Sequence, residues 1–248
     1  MIILKTKQEI EKMREANRIL ALLFNHLKPM VQPGITTREL DQEAELYIRS
    51  YNAAPAFKGY KGFPSTLCTS VNNEVVHGIP GPRRLVSGDI VSIDVGALHK
   101  GFYSDSCRTF AVGDISKETQ ILLDTTERSL YAGIEKALPG NRLHDISAAI
   151  QKVVESKGLG VVRDFVGHGI GKNLHEDPQI PNFGKKGTGP LLRAGMTIAI
   201  EPMVNQGSWK VAILEDGWTA VTADGSLSAH FEHSIAITDD GPVILSAP

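Results

Sequence analysis

The chain has 248 residues, with Lys+Arg 26 against Asp+Glu 28. A near-neutral balance gives no electrostatic case for nucleic acid or an anionic membrane, while the length allows a substantial core in one large domain or two small ones. Two cysteines, Cys68 and Cys107, make neither a disulfide framework nor a CxxC metal knuckle, and with no signal-peptide pattern or membrane-length apolar run a soluble cytoplasmic protein is expected.

Thr6-Lys7-Gln8-Glu9 is a capping box, in which hydroxyl and carboxylate satisfy free amides at a helix start. Ile10, Met13, Leu20, Phe24 and Leu27 follow at helical spacing, and Pro29 and Pro33-Gly34 close the helix. A second amphipathic helix carries Leu40, Ala44 and Tyr47, up to about Tyr51. Residues 52–65 are loop in composition, yet hold Phe57, Tyr60 and Phe63, too many aromatics for a plain linker. Strands are predicted at 66–71, 74–79, 89–97 and 101–112. Ser116 caps a long helix through Leu123, Leu130 and Ala137, which Pro139-Gly140 stops. Another helix carries Ile146, Ile150 and Val154, with Gly158 at its carboxyl end. Further strands are predicted at 161–166, 196–204, 219–221 and 234–238, and a loop at 183–190.

The two halves repeat one pattern. Leu85 to Asp94 and Leu192 to Glu201 each run leucine, two residues, glycine, then an apolar strand ending on an acid, 107 residues apart. The Pro-Gly pairs at 33 and 139 lie 106 apart. Each half reads helix, Pro-Gly, helix, strands, in one chain-long domain with a repeat at roughly 6–112 and 116–240. Helices preceding hairpin-spaced strands favour α+β with mainly antiparallel sheet.

Period-two alternation puts Asp94 on a face with Ile90 and Ser92, and Asp105 on a face with Tyr103, Cys107 and Thr109. A turn at Lys100-Gly101 would bring both acids to one cavity. In the second half Thr197, Ala199 and Glu201 share a face, as do His230, Glu232 and Ser234. Four acids in one cavity repel and are poorly solvated, and bound cation is the best compensation. Four carboxylates and an imidazole suit two divalent ions with shared carboxylates, and do not suit a thiolate zinc site. Taken singly, an acid in a strand is more often solvated or paired with a base. His26, His99 and His144 read as ordinary hydrogen-bonded histidines. His77 and His168 each precede Gly-Ile, where glycine permits close approach of backbone or ligand.

Asn73-Glu74-Val75-Val76-His77-Gly78-Ile79-Pro80, Asp94 with Asp105, Gly167-His168-Gly169-Ile170-Gly171 with His175, Thr197 to Pro202, and Glu232-His233 together resemble the type I methionine aminopeptidases. The resemblance runs from about residue 5 to 240. It implies the pita-bread fold, two pseudo-symmetric α+β halves with the site between them. It also implies two divalent ions (Co, Mn, Fe or Zn), with Asp94 chelating one, His168 and Glu201 binding the other, and Asp105 and Glu232 bridging. By the same resemblance Glu201 moves a proton, His175 donates to the carbonyl oxygen, His77 lies near the next residue's nitrogen, and Tyr60, Phe63, Cys68 and Trp218 line the methionine pocket. An apolar, aromatic and sulfur-containing lining suits a thioether; core packing is the other reading of Trp218.

The activity so implied is removal of the initiator methionine from nascent chains with a small second residue. The chain would act as a cytoplasmic monomer with at most transient ribosome contact, without nucleic acid or membrane. Leu174 and His230 depart from the pattern, standing where relatives carry Phe and Gln. No type II insertion separates Glu201 from Glu232, and no Cys-rich amino-terminal extension is expected. The alternatives are a proline-directed aminopeptidase or dipeptidase of the same fold, whose members carry an extra amino-terminal domain, and a non-catalytic peptide-binding relative that has lost its ligands.

Overall fold

A computed structural model describes residues 1–247. Helix α1 (Lys7–Leu27) starts on the expected box, the Thr6 hydroxyl accepting the Glu9 amide while the Glu9 carboxylate accepts the Thr6 amide. Helix α2 (Thr37–Ser50) starts on a second box, Thr36 with Glu39. Strands β1 (Ala54–Pro55), β2 (Leu67–Val71), β3 (Glu74–Val76), β4 (Ile90–His99) and β5 (Phe102–Ala111) complete the first half. Lys100 and Gly101, both at positive φ, turn β4 into β5.

In the second half Ser116 caps α3 (Lys117–Ile134), and α4 (Leu143–Glu155) follows. Then come β6 (Gly160–Val161), β7 (Gly167–Gly169), β8 (Glu176–Ile180), β9 (Thr197–Ile200) and β10 (Met203–Asn205). The chain ends with β11 (Val211–Ile213), β12 (Ala220–Thr222), β13 (Ser228–His230), β14 (Glu232–Thr238) and β15 (Gly241–Ile244).

The main sheet runs β1-β4-β5-β14-β9-β7-β8, with β2 on β4 and β15 on β14, and every pairing is antiparallel. Read outward from the β5/β14 seam, each side is a strand of one half followed by the strand that opens from that half's Leu-x-x-Gly turn. This is the pita-bread arrangement of α+β halves. Two apolar layers hold it. On one, Leu20, Leu23, Phe24 and Leu40 of the first helix pair cover Val91, Ile93 and Val95 of β4. On the other, Leu122, Leu130, Ile146 and Ile150 of the second pair cover Ile198, Ile200 and Ile235 of β9 and β14. The alternate positions point away from the helices, toward the site.

The differences from expectation lie where backbone geometry overrides pattern. The 196–204 stretch is two strands, because Pro202 has no N–H to donate and the chain turns out after Ile200. The 74–79 strand stops at Val76, since His77 sits at φ 60°. Of the 161–166 stretch only Val161 belongs to a strand, as the end of β6. Strands β7 and β8 are glycine- and proline-containing and show no alternation to read.

Leu20, on α1, is fully buried in the first layer. Leu20→Ala should lower unfolding free energy by about 2–5 kcal/mol in a denaturant titration. A loss below about 1 kcal/mol would mean that the helix layer carries little of the stability.

Candidate metal centre and peptide pocket

The site is assembled by register. Cys68 on β2 pairs with Asp94 on β4, Asp94 with Cys107 on β5, and Cys107 with Glu232 on β14. Asp105 lies two residues from Cys107 on β5, on the same face. On β9, Ile200 pairs with His233, so Glu201 follows at the level of Glu232; His168 on β7 pairs with Ala199. Five side chains from five adjacent strands thus meet. Glycines flank His168 because backbone passes close on both sides: a Cβ at Gly167 would stand 2.4 Å from the Ala199 carbonyl, and one at Gly169 2.1 Å from that of Asp177.

His168 Nε2 lies 3.7 Å from both Asp105 Oδ2 and Glu201 Oε1. Its Nδ1 is 2.8 Å from the Gly169 carbonyl, which can only accept, so Nδ1 carries the proton. Burial lowers the imidazole pKa to about 4, so the ring is neutral and Nε2 presents a lone pair to the carboxylates. Asp105, His168 and Glu232 offer donor atoms within 4.8 Å of one another. Asp94 Oδ1, Asp105 Oδ1 and Glu232 Oε1 are buried without any hydrogen-bond partner.

Burial raises all four acids. Asp94 reaches about 7; Asp105 goes well up, with Glu232 and Asp94 adding to the effect; Glu201 and Glu232 also rise well above the usual carboxylate range. Acceptors facing acceptors in a dry site are reconciled by cation, and the donors fit hard or borderline divalent ions.

Hydroxyls fix the backbone behind the acids. Ser106 Oγ donates to the Glu232 carbonyl (2.9 Å), Ser234 Oγ to the Asp105 carbonyl (2.8 Å) and Thr109 Oγ1 to the His230 carbonyl (2.8 Å). Asn182 Nδ2 donates to the Glu201 carbonyl where the strand breaks.

A cavity of about 180 Å³ opens over this cluster. Tyr60, Phe63, Cys68 and Trp218 line it, with Trp218 edge-on to Phe63 at 5.2 Å. Phe57, Lys61 and Leu174 also line it. Phe57 was legible only as part of an aromatic-rich loop, and Lys61 carried no signal. Cys68 stays a thiol, since burial and then Asp94 push its pKa well up. His175 packs 4.2 Å from His168 by ring centroid and stacks on Tyr60, with Tyr60 Oη 3.0 Å from His175 Nδ1. His77 stands edge-on to Phe165 and Trp218, and burial lowers its pKa to about 4. His230 is buried, with Nε2 3.6 Å from Glu201 Oε2. Of the histidines set aside, His26 bonds Glu43 and His144 bonds Thr188, whereas His99 Nδ1 is buried without a partner.

The pattern of metallopeptidase family M24 matches residues 11–239, and the chain belongs to that family. Within it, the chain is 58% identical over 246 residues to the methionine aminopeptidase of Clostridium perfringens, covering 99% of each. A crystal structure of methionine aminopeptidase from Thermotoga maritima superposes with a TM-score of 0.98 at 48% identity, covering 100% of both chains. The prolidase of Pyrococcus furiosus shares the fold at a TM-score of 0.79 and 25% identity, with 99% of this chain matched to 66% of that one.

Metal-stripped protein should lose stability as pH rises. The acids' folded pKa values lie above their unfolded values near 4, so stability is full below about pH 4 and is lost through the folded range, about 7 for Asp94. The buried His77 and His168, lowered to about 4, work the other way up to their unfolded value near 6.5, so the Tm of stripped protein should fall between about pH 6.5 and 8, and Asp105→Asn should raise it and flatten the slope. A Tm of stripped protein that climbs over that interval would contradict the electrostatic picture.

Proposed function

We propose that this chain hydrolyses the bond after an N-terminal methionine, with two divalent cations held by Asp94, Asp105, His168, Glu201 and Glu232. The observation that carries this reading is the convergence of the five donors, three with unpartnered buried oxygens, beneath an aromatic pocket. Asp105 and Glu232 sit on the two central strands and would serve both ions. Asp94 flanks them on one side, His168 and Glu201 on the other. Cations bound there supply a polarised scissile carbonyl and an acidified water.

The remaining work falls to the chain. Phe63, Trp218, Tyr60 and Cys68 would enclose the thioether side chain and exclude water from it. Glu201, held dry and proton-hungry by burial, would take the proton of the attacking water and return it to the departing amine. With Tyr60 Oη as the donor to Nδ1, the neutral His175 ring would carry its proton on Nε2 and offer it to the developing oxyanion. His77, at the pocket rim, would contact the nitrogen of the second residue, whose side chain the family resemblance limits to small ones.

An initiator methionine is carried by nascent chains, and this supports a cytoplasmic site of action with transient ribosome contact. An oxygen-rich donor set accepts Mn, Fe, Co and Zn. The resemblance in fold to a prolidase makes proline-directed cleavage the second reading.

Reconstitution of stripped protein with each ion, followed by free methionine release from a panel of Met-X peptides beside X-Pro peptides, tests the whole. Met-Ala peptides should turn over and X-Pro peptides should not; the reverse would establish the second reading. Glu201→Gln should abolish turnover in a folded protein, and near-normal release from Met-Ala-Ser would remove its proton-transfer role. His175→Ala should lower kcat roughly 10²–10³-fold with little change in KM.

A further inference from the structure

The segment carrying His175 is held by the amino-terminal segment of the chain. Lys5 and Glu176 form an ion pair whose side chains are each only 4% exposed. Lys5 Nζ also donates to the Ile3 carbonyl (3.1 Å), and Glu176 Oε1 accepts the Asn173 amide (3.1 Å). Four residues further along each segment, in opposite directions, Glu9 pairs with Lys172 at 3.3 Å. A Cβ on Gly171 would stand 2.5 Å from Lys5 Cε and 2.8 Å from Glu176 Oε1, so the backbone lies directly on the pair. The Lys5 amide donates to the Gly195 carbonyl (2.7 Å), at the turn that launches β9 toward Glu201. Residues 170–175 belong to no helix or strand, and the hydrogen bond found for the His175 ring is to Tyr60. Beyond the ring's own contacts with Tyr60 and His168, its position depends on the anchoring of its backbone at Gly171, Asn173 and Glu176.

We propose that the Lys5–Glu176 pair is a positioning device for His175, fixing the imidazole over the carboxylate cluster. This rests on the reading of His175 as a substrate contact. Removing one charge leaves its partner buried and uncompensated, and the segment 171–176 relieves that by moving. A displacement near 1 Å at an oriented group can cost about 10²-fold in rate.

Lys5→Met, Glu176→Gln and the double variant, each loaded with zinc, would be compared for metal content, kcat and KM on Met-Ala-Ser, and the NMR resonances of the His175 ring, assigned with His175→Ala. Lys5→Met should lower kcat roughly 10–100-fold at unchanged metal content and displace the His175 resonances. The double variant, which removes both charges, should be more active than Lys5→Met. Unmoved resonances and an intact kcat, even with a lower Tm, would overturn the proposal and leave a plain structural brace. If Lys5→Met does not fold, Glu176→Gln carries the same comparison. An intact kcat in His175→Ala would instead defeat the catalytic reading of His175, and the resonances would still decide whether the pair positions it.

Discussion

Four carboxylates on one dry face of an antiparallel sheet are the constraint to which the rest of the structure answers. The other face of β4, β9 and β14 is committed to the helices by Val91, Ile93, Ile198, Ile200 and Ile235. The alternation that buries those residues obliges Asp94 to point the opposite way. The acids are poorly solvated there, and the oxygens of Asp94, Asp105 and Glu232 that lack a hydrogen-bond partner show that the protein does not satisfy them itself. The carbonyls behind them are satisfied with care, by Ser106, Ser234 and Thr109. Within the cluster the unmet need falls on carboxylate oxygens and not on the carbonyls behind them, which is the signature of a binding site and not of poor packing.

The two parts of the site are built by different means. The donors come from a rigid ladder, where register sets position. Apart from Cys68 on β2, the groups that would recognise the peptide come from outside the ladder: the Gly59–Gly62 segment with Tyr60 and the residues around His77 and His175. Residues of this second kind need long-range supports, as the bond between Tyr60 and His175 illustrates. A rigid cluster with adjustable recognition loops lets one chemistry serve several peptide specificities, consistent with a fold shared by aminopeptidase and prolidase.

Much of this was legible in the sequence because it is local. The capping box at Thr6, the Ser116 cap, the turn at Lys100-Gly101 and the common face of Asp105 and Cys107 depend on residues within one or two turns of chain. The matched Leu-x-x-Gly turns paired Asp94 with Glu201 before any strand order was known. Position 168 was different. His168 lies on a three-residue glycine-flanked strand with no hydrophobic period; its glycines singled it out together with His77, and family resemblance alone chose it over His77 as a ligand. Glu176 and Lys5 are 171 residues apart, and nothing local in the sequence marks either until the fold buries them together. The expected strand over 161–166 fails after Val161, since propensity alone does not supply a ladder partner.

The seam between β5 and β14 is short, with two residue pairs in register, Glu232 with Cys107 and His233 with Ser106. Each half has its own helix layer, and the join is backed by apolar clusters drawn from both halves, Phe57, Phe63 and Phe102 with Ile170 and Leu174, and Val75 and Val76 with Val162 and Met203. The donors, however, are divided across it: Asp94 and Asp105 from one side, His168, Glu201 and Glu232 from the other. Any ion gripped by both sets would therefore add a further tie between the two halves. Its affinity and the cohesion of the halves are then two readings of a single linked free energy, and whatever loosens the join also loosens the grip on metal.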